Sequence, residues 1–455
     1  MGVNSEESKK ELVIIGGGAV GMAVATHTQR CGGYSITVLS KDSHTAYSQC
    51  GIPFVLGGEI KDFNSLVIRS IEYFEQMGIR TRLNTVVDDI DLDTKTIGCS
   101  GERVQFDKLV IATGSVPYVP ESIEFDRSLG NVFTLRTLTD GIKIDDAFKS
   151  AKNLVIIGAG SIGVEVALEA VKRGISTTLV NRGHFILSHN IDPDMSEIVR
   201  MYIESKGLNL ITGSIPESIN GNGNVESVTI GGNHIQADVV IISTGVKPET
   251  SLANSAGITI GSTGGIVVNE HLNVSINDDY HPDVYAGGEC VEVHGFVTGE
   301  PMLNQLGSEA RRMAARIADN LCGILSTMPF LVNPWVCVAG GLQIGSVGLT
   351  SQVALKSGIK VITGMSKGKT RAGYYPGGSH IFIKLLFRER HLIGAQVIAG
   401  EGVKERIDCL SFAIKKRSTI DDLLNMETCY APPVSMLVDP LRYAAEDALK
   451  KMQQE

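Results

Sequence analysis

Two stretches of this chain carry the same order of apolar, glycine-rich and mixed positions. The first begins with the unbroken apolar run Leu12–Ile15, stops at Gly16-Gly17-Gly18, continues with helix-compatible residues from Ala19 to Gln29, and returns to a β-branched run at Ile36–Leu39. That order predicts strand, tight turn, helix and strand. Residues 153–182, NLVIIGAGSIGVEVALEAVKRGISTTLVNR, repeat it. Two copies of one βαβ unit about 140 residues apart predict two related nucleotide domains rather than a short-period repeat.

Further apolar runs close each unit. FDKLVIATG (106–114) and ADVVIISTG (237–245) each run from a strand into Thr-Gly, and DVYAGGECVEV (283–293) opens onto Gly287-Gly288 ahead of a helix expected from about 305 to 321. From about residue 330 the pattern changes to alternating strands (VCVAGGLQIGSVGLT, HIFIKLLF, HLIGAQVIAG) and then helices (VKERIDCLSFAIKK, TIDDLLN, LRYAAEDALKK), an α+β third domain. The fold class is therefore α/β, with two doubly wound, Rossmann-like dinucleotide-binding domains and a C-terminal α+β domain. Asn320 to Leu355 holds no charge, a length that invites a membrane span. Prolines 329 and 334 and glycines 340, 341, 345 and 348 divide it into pieces too short to cross, so buried or interface strands are expected.

Composition narrows the picture. At 455 residues the chain exceeds one ordinary core, while 43% hydrophobic and 20% charged residues describe an ordered globular protein. The 51 glycines cluster in what look like nucleotide loops, and a net charge of −9 gives no electrostatic footprint for nucleic acid. Eight scattered cysteines (31, 50, 99, 290, 322, 337, 409, 429) include no C-x-x-C and no zinc spacing, so no metal site is expected. Unpaired thiols and a polar start, MGVNSEESKKE, without an apolar signal region, point to the cytoplasm.

The chemistry begins at the glycines. Gly16, Gly18 and Gly21, and again Gly158, Gly160 and Gly163, form G-x-G-x-x-G between a strand and a helix, the context in which backbone N–H groups and a helix N-terminus meet a pyrophosphate. Such units usually end the second strand in a ribose-binding carboxylate. Here the first ends Ser40-Lys41-Asp42, with Asp42 or the Ser40 hydroxyl as substitutes. The second ends Asn181-Arg182, and Arg182 suits a 2′-phosphate, which tilts the second cofactor toward NADPH over NADH; stacking on the adenine or a solvated side chain are the alternatives. Between the units, TAYSQCGIPF places Cys50 just ahead of Pro53, a residue suited to a helical first turn. A thiol there is expected to be stabilised as thiolate. The competing possibility is a buried small apolar cysteine.

GGGAVG, YSQCGIPF, VIATG, GAGSIGVE, STGVKPE, VYAGGECVEV and CYAPPVS together resemble the FAD-dependent pyridine nucleotide–disulfide oxidoreductases, over essentially everything from Glu11 to Lys451. The match is to their single-cysteine branch of coenzyme A disulfide reductases, persulfide reductases and NAD(P)H oxidases. The resemblance implies a discontinuous FAD domain (1–116 and 248–328), an inserted NAD(P) domain (117–247) and a dimerisation domain (329–455) in a homodimer. It places FAD against Gly16, Gly18, Ala19, Gly21, Ser40, Lys41, Asp42, Val87, Ala112, Thr113, Gly114, Gly287 and Glu289. It places NADPH or NADH against Gly158, Gly160, Ser161, Ile162, Gly163, Glu165, Asn181, Arg182 and Gly245. The family usually has Asp where Glu289 stands, and many relatives have a bulky aromatic where Ser161 stands.

With no second cysteine at the family's spacing, Cys50 is expected to pair with its substrate: the sulfur of a small thiol such as coenzyme A, a sulfane sulfur, or oxygen through a sulfenic acid. CYAPPVS and RAGYYPGG resemble elements whose tyrosines reach that cysteine from the partner subunit, giving Tyr430 and one of Tyr374 or Tyr375 a catalytic place; dimer anchoring is the alternative. Cys429 is a candidate resolving thiol, His44 is expected as a solvated loop histidine with a proton source as the alternative, and the other cysteines are expected in the core. The expected function is NAD(P)H-dependent reduction of a coenzyme A disulfide, persulfide or polysulfide, with NAD(P)H oxidase as the alternative. An electron-transfer flavoprotein serving a protein partner is disfavoured by Cys50. The chain is also expected to lack the sulfurtransferase-like extension of some persulfide reductases.

Overall fold

The computed structural model describes residues 9–454. Each βαβ unit nucleates a parallel sheet. In the first, Lys10–Ile15 lies between Tyr34–Leu39 and Lys108–Ile111, so that Ile15 stands beside both Leu39 and Ile111. Ile79–Arg82 extends one edge and Asp279–Ala286 the other, with Asn273–Ile276 antiparallel outside it. In the second, Asn153–Ile157 lies between Ser176–Asn181 and Val239–Ile242, and Ile157 stands beside Val180 and Ile242. Asn209–Thr212 and Val132–Thr134 complete five parallel strands. Helices on both faces explain the unbroken apolar runs: Leu12, Ile14, Val155 and Ile156 are all fully buried, each contributing about 1.5–3 kcal/mol of transfer free energy.

Asp279–Ala286 joins the first sheet although it follows the whole second unit in sequence. The chain leaves through Ser115–Pro117 and returns through Val246–Pro248, which pair antiparallel as a two-strand connection. The crossing is pinned by the Thr113 hydroxyl donating to Glu249 O (2.6 Å) and by Glu249 N–H donating to Gly114 O (2.9 Å).

The third domain is a five-stranded antiparallel sheet ordered Trp335–Ala339, Leu342–Gly348, His391–Ala399, His380–Arg388, Ile362–Lys369; the last strand was not expected from sequence. Helices Val403–Lys415 and Pro440–Met452 cover it. The uncharged 320–355 stretch becomes a helix end, a loop, two strands and the start of a short helix, and among the described residues no helix is long and apolar enough to cross a membrane. A buried polar network fastens this domain to the second unit. Asp192, 1% exposed, accepts from Ser351 and Gln396 and pairs with Lys384 Nζ at 2.9 Å.

The cysteines correct one expectation. Cys31 and Cys322, expected as separate core thiols, form a disulfide with Cα atoms 6.1 Å apart, joining the C-terminal ends of helices Ala19–Cys31 and Gly307–Leu321. These helices pack side by side, and the bond lies across 291 residues of sequence, which hid it. The thiol-based part of the cytoplasmic expectation goes with it. Cys99, Cys290 and Cys337 are buried as expected, whereas Cys409 and Cys429 are exposed.

Candidate active site

The two glycine turns are built alike, atom for atom. A Cβ on Gly16 (φ +117°) would stand 2.1 Å from Ala112 O, and one on Gly158 (φ +110°) 2.2 Å from Ser243 O, so the first glycine of each turn lets the closing strand approach. A Cβ on Gly21 would meet Gly16 O at 1.9 Å and one on Gly163 would meet Gly158 O at 2.0 Å, so the third lets the helix sit on the turn. Around Gly18 and Gly160, by contrast, nothing lies within 4 Å of the missing side chain. Each of these two residues is the N-cap of a helix of 12 or 13 residues whose first amides have no side-chain cap. Open space over uncapped amides at a sheet's carboxyl edge fits a dinucleotide pyrophosphate in both units.

Beyond the turns the units diverge. Ser40 is buried, and its Oγ accepts from Asp42 N–H at 3.3 Å. Lys41, Asp42 and His44 share a cavity of about 210 Å³ with Asn84, Thr137 and Asp140. Burial there raises the Asp42 carboxyl, against the pull of Lys41. Asn84 and Thr85 amides bond Asp42 O and Ser40 O, which brings the strand beginning at Val87 to this edge. In the second unit Asn181 is taken up by the backbone, while Arg182 is exposed. A larger surface cleft, about 890 Å³, lies between Lys356–Ile359 and Arg388 on the third domain, apart from both glycine turns.

Cys50 lies in a single 3₁₀ turn, Gln49–Gly51, that runs into the five-residue helix Ile52–Leu56 with Pro53 in its first turn. Although it belongs to the first unit by sequence, that helix packs on the second. Gly57 lets Glu169 come within what would be 1.7 Å of a Cβ, Gly141 leaves room for Ile52, and Arg173 donates to Leu56 O at 2.9 Å. Ile52, Val55 and Leu56 share one apolar core with Val164, Leu168 and Cys337. This docking brings Glu165, from the second unit's helix, into the electrostatic field of Cys50.

Burial, and then charge, around the thiol run against the expected thiolate stabilisation. Burial by the surrounding walls, then the carboxylates of Glu165 and Glu289, push the Cys50 thiol up, and Arg136 only partly opposes them, although the residue as a whole is exposed. A five-residue helix has too small a dipole to reverse this. Glu165 itself is raised to about 7 by burial, with Val338 N–H donating to its Oε1 at 3.2 Å. Glu289 accepts from Ser115 Oγ and from Arg136 at 2.7 Å. Arg136 was missed in the sequence. Its local signal was the capping box Thr137–Asp140 that opens helix Leu138–Phe148, but its partner lies 153 residues away.

The tyrosines separate. Tyr374 and Tyr430 hydroxyls share a hydrogen bond of 2.9 Å, which raises the Tyr430 phenol, while Tyr375 turns its backbone N–H to Ala372 O. All three are on the surface of the third domain. Cys429 is exposed beside them, and His44 Nδ1 shares a hydrogen bond with Ser43 Oγ. Ser161 opens its helix half-buried, and Ile162 after it is 40% exposed, leaving that face of the turn open. Gly287 allows Ile317 to approach under the Glu289 turn, and Gly245 (φ +108°) has open space beside it. Among the described residues no cluster could hold a metal ion.

Two dinucleotide cradles flanking a lone thiol define a nicotinamide- and flavin-dependent oxidoreductase, and the comparisons agree. Residues 10–313 match the pyridine nucleotide-disulphide oxidoreductase model and residues 334–440 its dimerisation domain; the chain belongs to this family. The chain is 39% identical to an NADH oxidase of Methanocaldococcus jannaschii, over 97% of this chain and 99% of that one. It is 32% identical to an NAD(P)H coenzyme A polysulfide/persulfide reductase of Pyrococcus horikoshii, over 96% and 98%. The structure of an NAD-dependent persulfide reductase from A. fulgidus superposes with a TM-score of 0.93 at 32% identity, covering 98% of this chain and 84% of that one.

Proposed function

We propose that this protein is a homodimeric, FAD-containing NAD(P)H oxidoreductase that reduces coenzyme A disulfide, coenzyme A persulfide or polysulfide through Cys50. The observation that carries the proposal is Cys50 itself, an exposed free thiol that helix Ile52–Leu56 docks against the second unit. The first glycine turn with the Ser40–Asp42 edge, Val87, Ala112–Gly114, Gly287 and Glu289 would hold FAD. The second turn with Ser161, Ile162, Glu165, Asn181, Arg182 and Gly245 would hold the nicotinamide cofactor, NADPH preferred. The domains divide at residues 116/117, 247/248 and 328/329. FAD supplies the two-electron relay between nicotinamide and sulfur.

The chain's own part is to hold sulfur. Cys50 as thiolate attacks the substrate sulfur, forming a mixed disulfide or persulfide and expelling a thiolate; two electrons and a proton then free the retained sulfur and restore Cys50. With its thiol raised first by burial and then by two carboxylates, Cys50 ionises less readily than an ordinary thiol, and Arg136 is the cation that opposes the shift. Glu165, near neutrality, can hold or release a proton beside it. Tyr430 and Tyr374, paired on the dimerisation domain, would donate to the leaving thiolate in the partner's site. The cytoplasm is the proposed location because it supplies NAD(P)H and coenzyme A.

Oxygen is the second acceptor to consider. It is favoured by the 39% identity to a protein named NADH oxidase and by the open face at Ser161. Steady-state NADPH and NADH consumption, with coenzyme A disulfide, polysulfide or oxygen as sole acceptor, separates the two. Turnover at least about tenfold faster with a sulfur acceptor is expected, a difference of 1.4 kcal/mol in barrier. Faster turnover with oxygen and formation of water would establish the oxidase instead.

A further inference from the structure

We infer that Glu169 is a positioning residue for the chemistry of Cys50, acting through Glu165 one helical turn before it. The inference rests on the proposed role of Cys50. Helix Ser161–Lys172 of the second unit meets the segment that runs from Cys50 to Glu59. Glu165 acts on the thiol, Glu169 lies against Gly57, Arg173 donates to Leu56 O at 2.9 Å, and Lys172 Nζ pairs with Glu59 at 2.6 Å. Residues four apart on a helix share one face, so Glu165 and Glu169 are neighbours on the face that receives the Cys50 helix.

Packing alone does not explain Glu169. The residue is 4% exposed, yet its Oε2 has no hydrogen-bond partner among the described residues. Lys172 Nζ stands 3.6 Å from it, beyond hydrogen-bond distance, and is held more closely by Glu59. Gly57 makes the room, since a Cβ there would be 1.7 Å from Oε2. A buried carboxyl without a hydrogen bond is costly, and an apolar side chain of similar size would fill the same space. What only the carboxyl brings is charge. Its field adds to burial, the larger cause, in keeping the proton on Glu165. Glu165 is otherwise met by the Val338 N–H and the Cys337 thiol from the third domain and by Cys50. Glu169 itself is raised by burial, with Lys172 opposing and Glu59 adding to it, and the Arg173–Asp145 pair (2.6 Å) flanks the same contact. While Glu165 keeps its proton, Cys50 faces one carboxylate fewer. The Glu169 carboxylate thus favours the Cys50 thiolate indirectly, although it is itself a negative charge.

The test is the rate of Cys50 alkylation by iodoacetamide in the FAD-loaded protein, followed at Cys50 by peptide mass spectrometry from pH 5.5 to pH 8.5. Glu169→Gln keeps the shape and removes the charge. Glu165 should then lose its proton about half a pH unit lower, and its carboxylate should slow alkylation about twofold at pH 6.5. At pH 8.5, where Glu165 is ionised in both proteins, the rates should be equal. In a Glu165→Gln background the same substitution should change nothing. Glu169→Leu, which fills the space without charge, should repeat the effect with no loss of Tm. A side chain that only packs predicts an unchanged rate at pH 6.5, and a carboxylate acting directly on the thiol predicts a faster one; either result overturns the role of Glu169. No electron acceptor enters the measurement, so that failure leaves the sulfur reading standing, while the sulfur reading falls separately if Cys50→Ser retains turnover.

Discussion

The first and second βαβ units use their glycines identically, closing strand over the first, helix over the third and open space at the second, yet they treat the end of their second strand in opposite ways. The first ends in a carboxyl that shares a cavity with Lys41 and Asn84. The second spends its polar residue on its own backbone and presents Arg182. Turn geometry is fixed by what every dinucleotide has, a pyrophosphate, whereas the strand end answers to what distinguishes one dinucleotide from another. The units also meet: a helix from the first, carrying Cys50, is seated on the helix of the second.

The comparison breaks most sharply at the open glycines. Gly18→Val and Gly160→Val both place a side chain where the protein itself leaves room, with non-glycine backbone angles (φ −81° and −78°), so each variant should fold. Gly18→Val is expected to purify without bound flavin, read from visible absorbance. Gly160→Val should keep its flavin and raise the KM for NAD(P)H by about tenfold or more, the loss of close backbone approach to a phosphate. Equal flavin loss in both would mean that the units do not divide the two ligands.

The Cys31–Cys322 bond belongs to the first unit alone. Cys31→Ala with Cys322→Ala should lower stability by about 2–5 kcal/mol, seen as a lower Tm and easier flavin loss on heating, while the second unit's affinity for NADP⁺ stays unchanged. A Tm equal to wild type would show that the bond is not formed in solution.

A smaller effect tests the meeting point of the units. Glu165→Gln and Glu289→Gln each remove a carboxylate that holds the Cys50 thiol up, so alkylation of Cys50 by iodoacetamide should become faster at pH 7.5, with Glu165→Gln the larger. Glu165 also sets a pH slope. Its folded value of about 7 exceeds the ordinary 4.5, so the unfolded chain releases that proton first, and stability falls as pH rises between those values. Glu165→Gln should flatten the fall in Tm from pH 5 to pH 7; an unchanged slope would place the titration elsewhere.

How much of this was legible follows from sequence distance. Each glycine turn, its strand and its helix lie within about 30 residues, and periodicity exposes them. The α+β third domain was visible in its strand and helix runs, apart from Ile362–Lys369, whose glycines and lysines disguise a strand. Cys50 was found from its neighbour Pro53, but its environment was read with the wrong sign, because burial, and the carboxylates of Glu165 and Glu289 far off in sequence, act on it only in the folded chain. Arg136 with Glu289 and Cys31 with Cys322 are long-range pairs with no local signature. Tyr374 and Tyr375 are neighbours in sequence, and only the hydroxyl contact to Tyr430 tells them apart.

The central claim is that Cys50 carries the sulfur. Its most direct test is reduction of coenzyme A disulfide and of polysulfide by NADPH in wild type and Cys50→Ser, with FAD content verified in both. The account predicts that Cys50→Ser keeps its flavin, still has that flavin reduced by NADPH, and loses sulfur turnover by a factor of about 10³ or more, as expected when a covalent nucleophile is removed. Sulfur turnover at the wild-type rate in Cys50→Ser would contradict it.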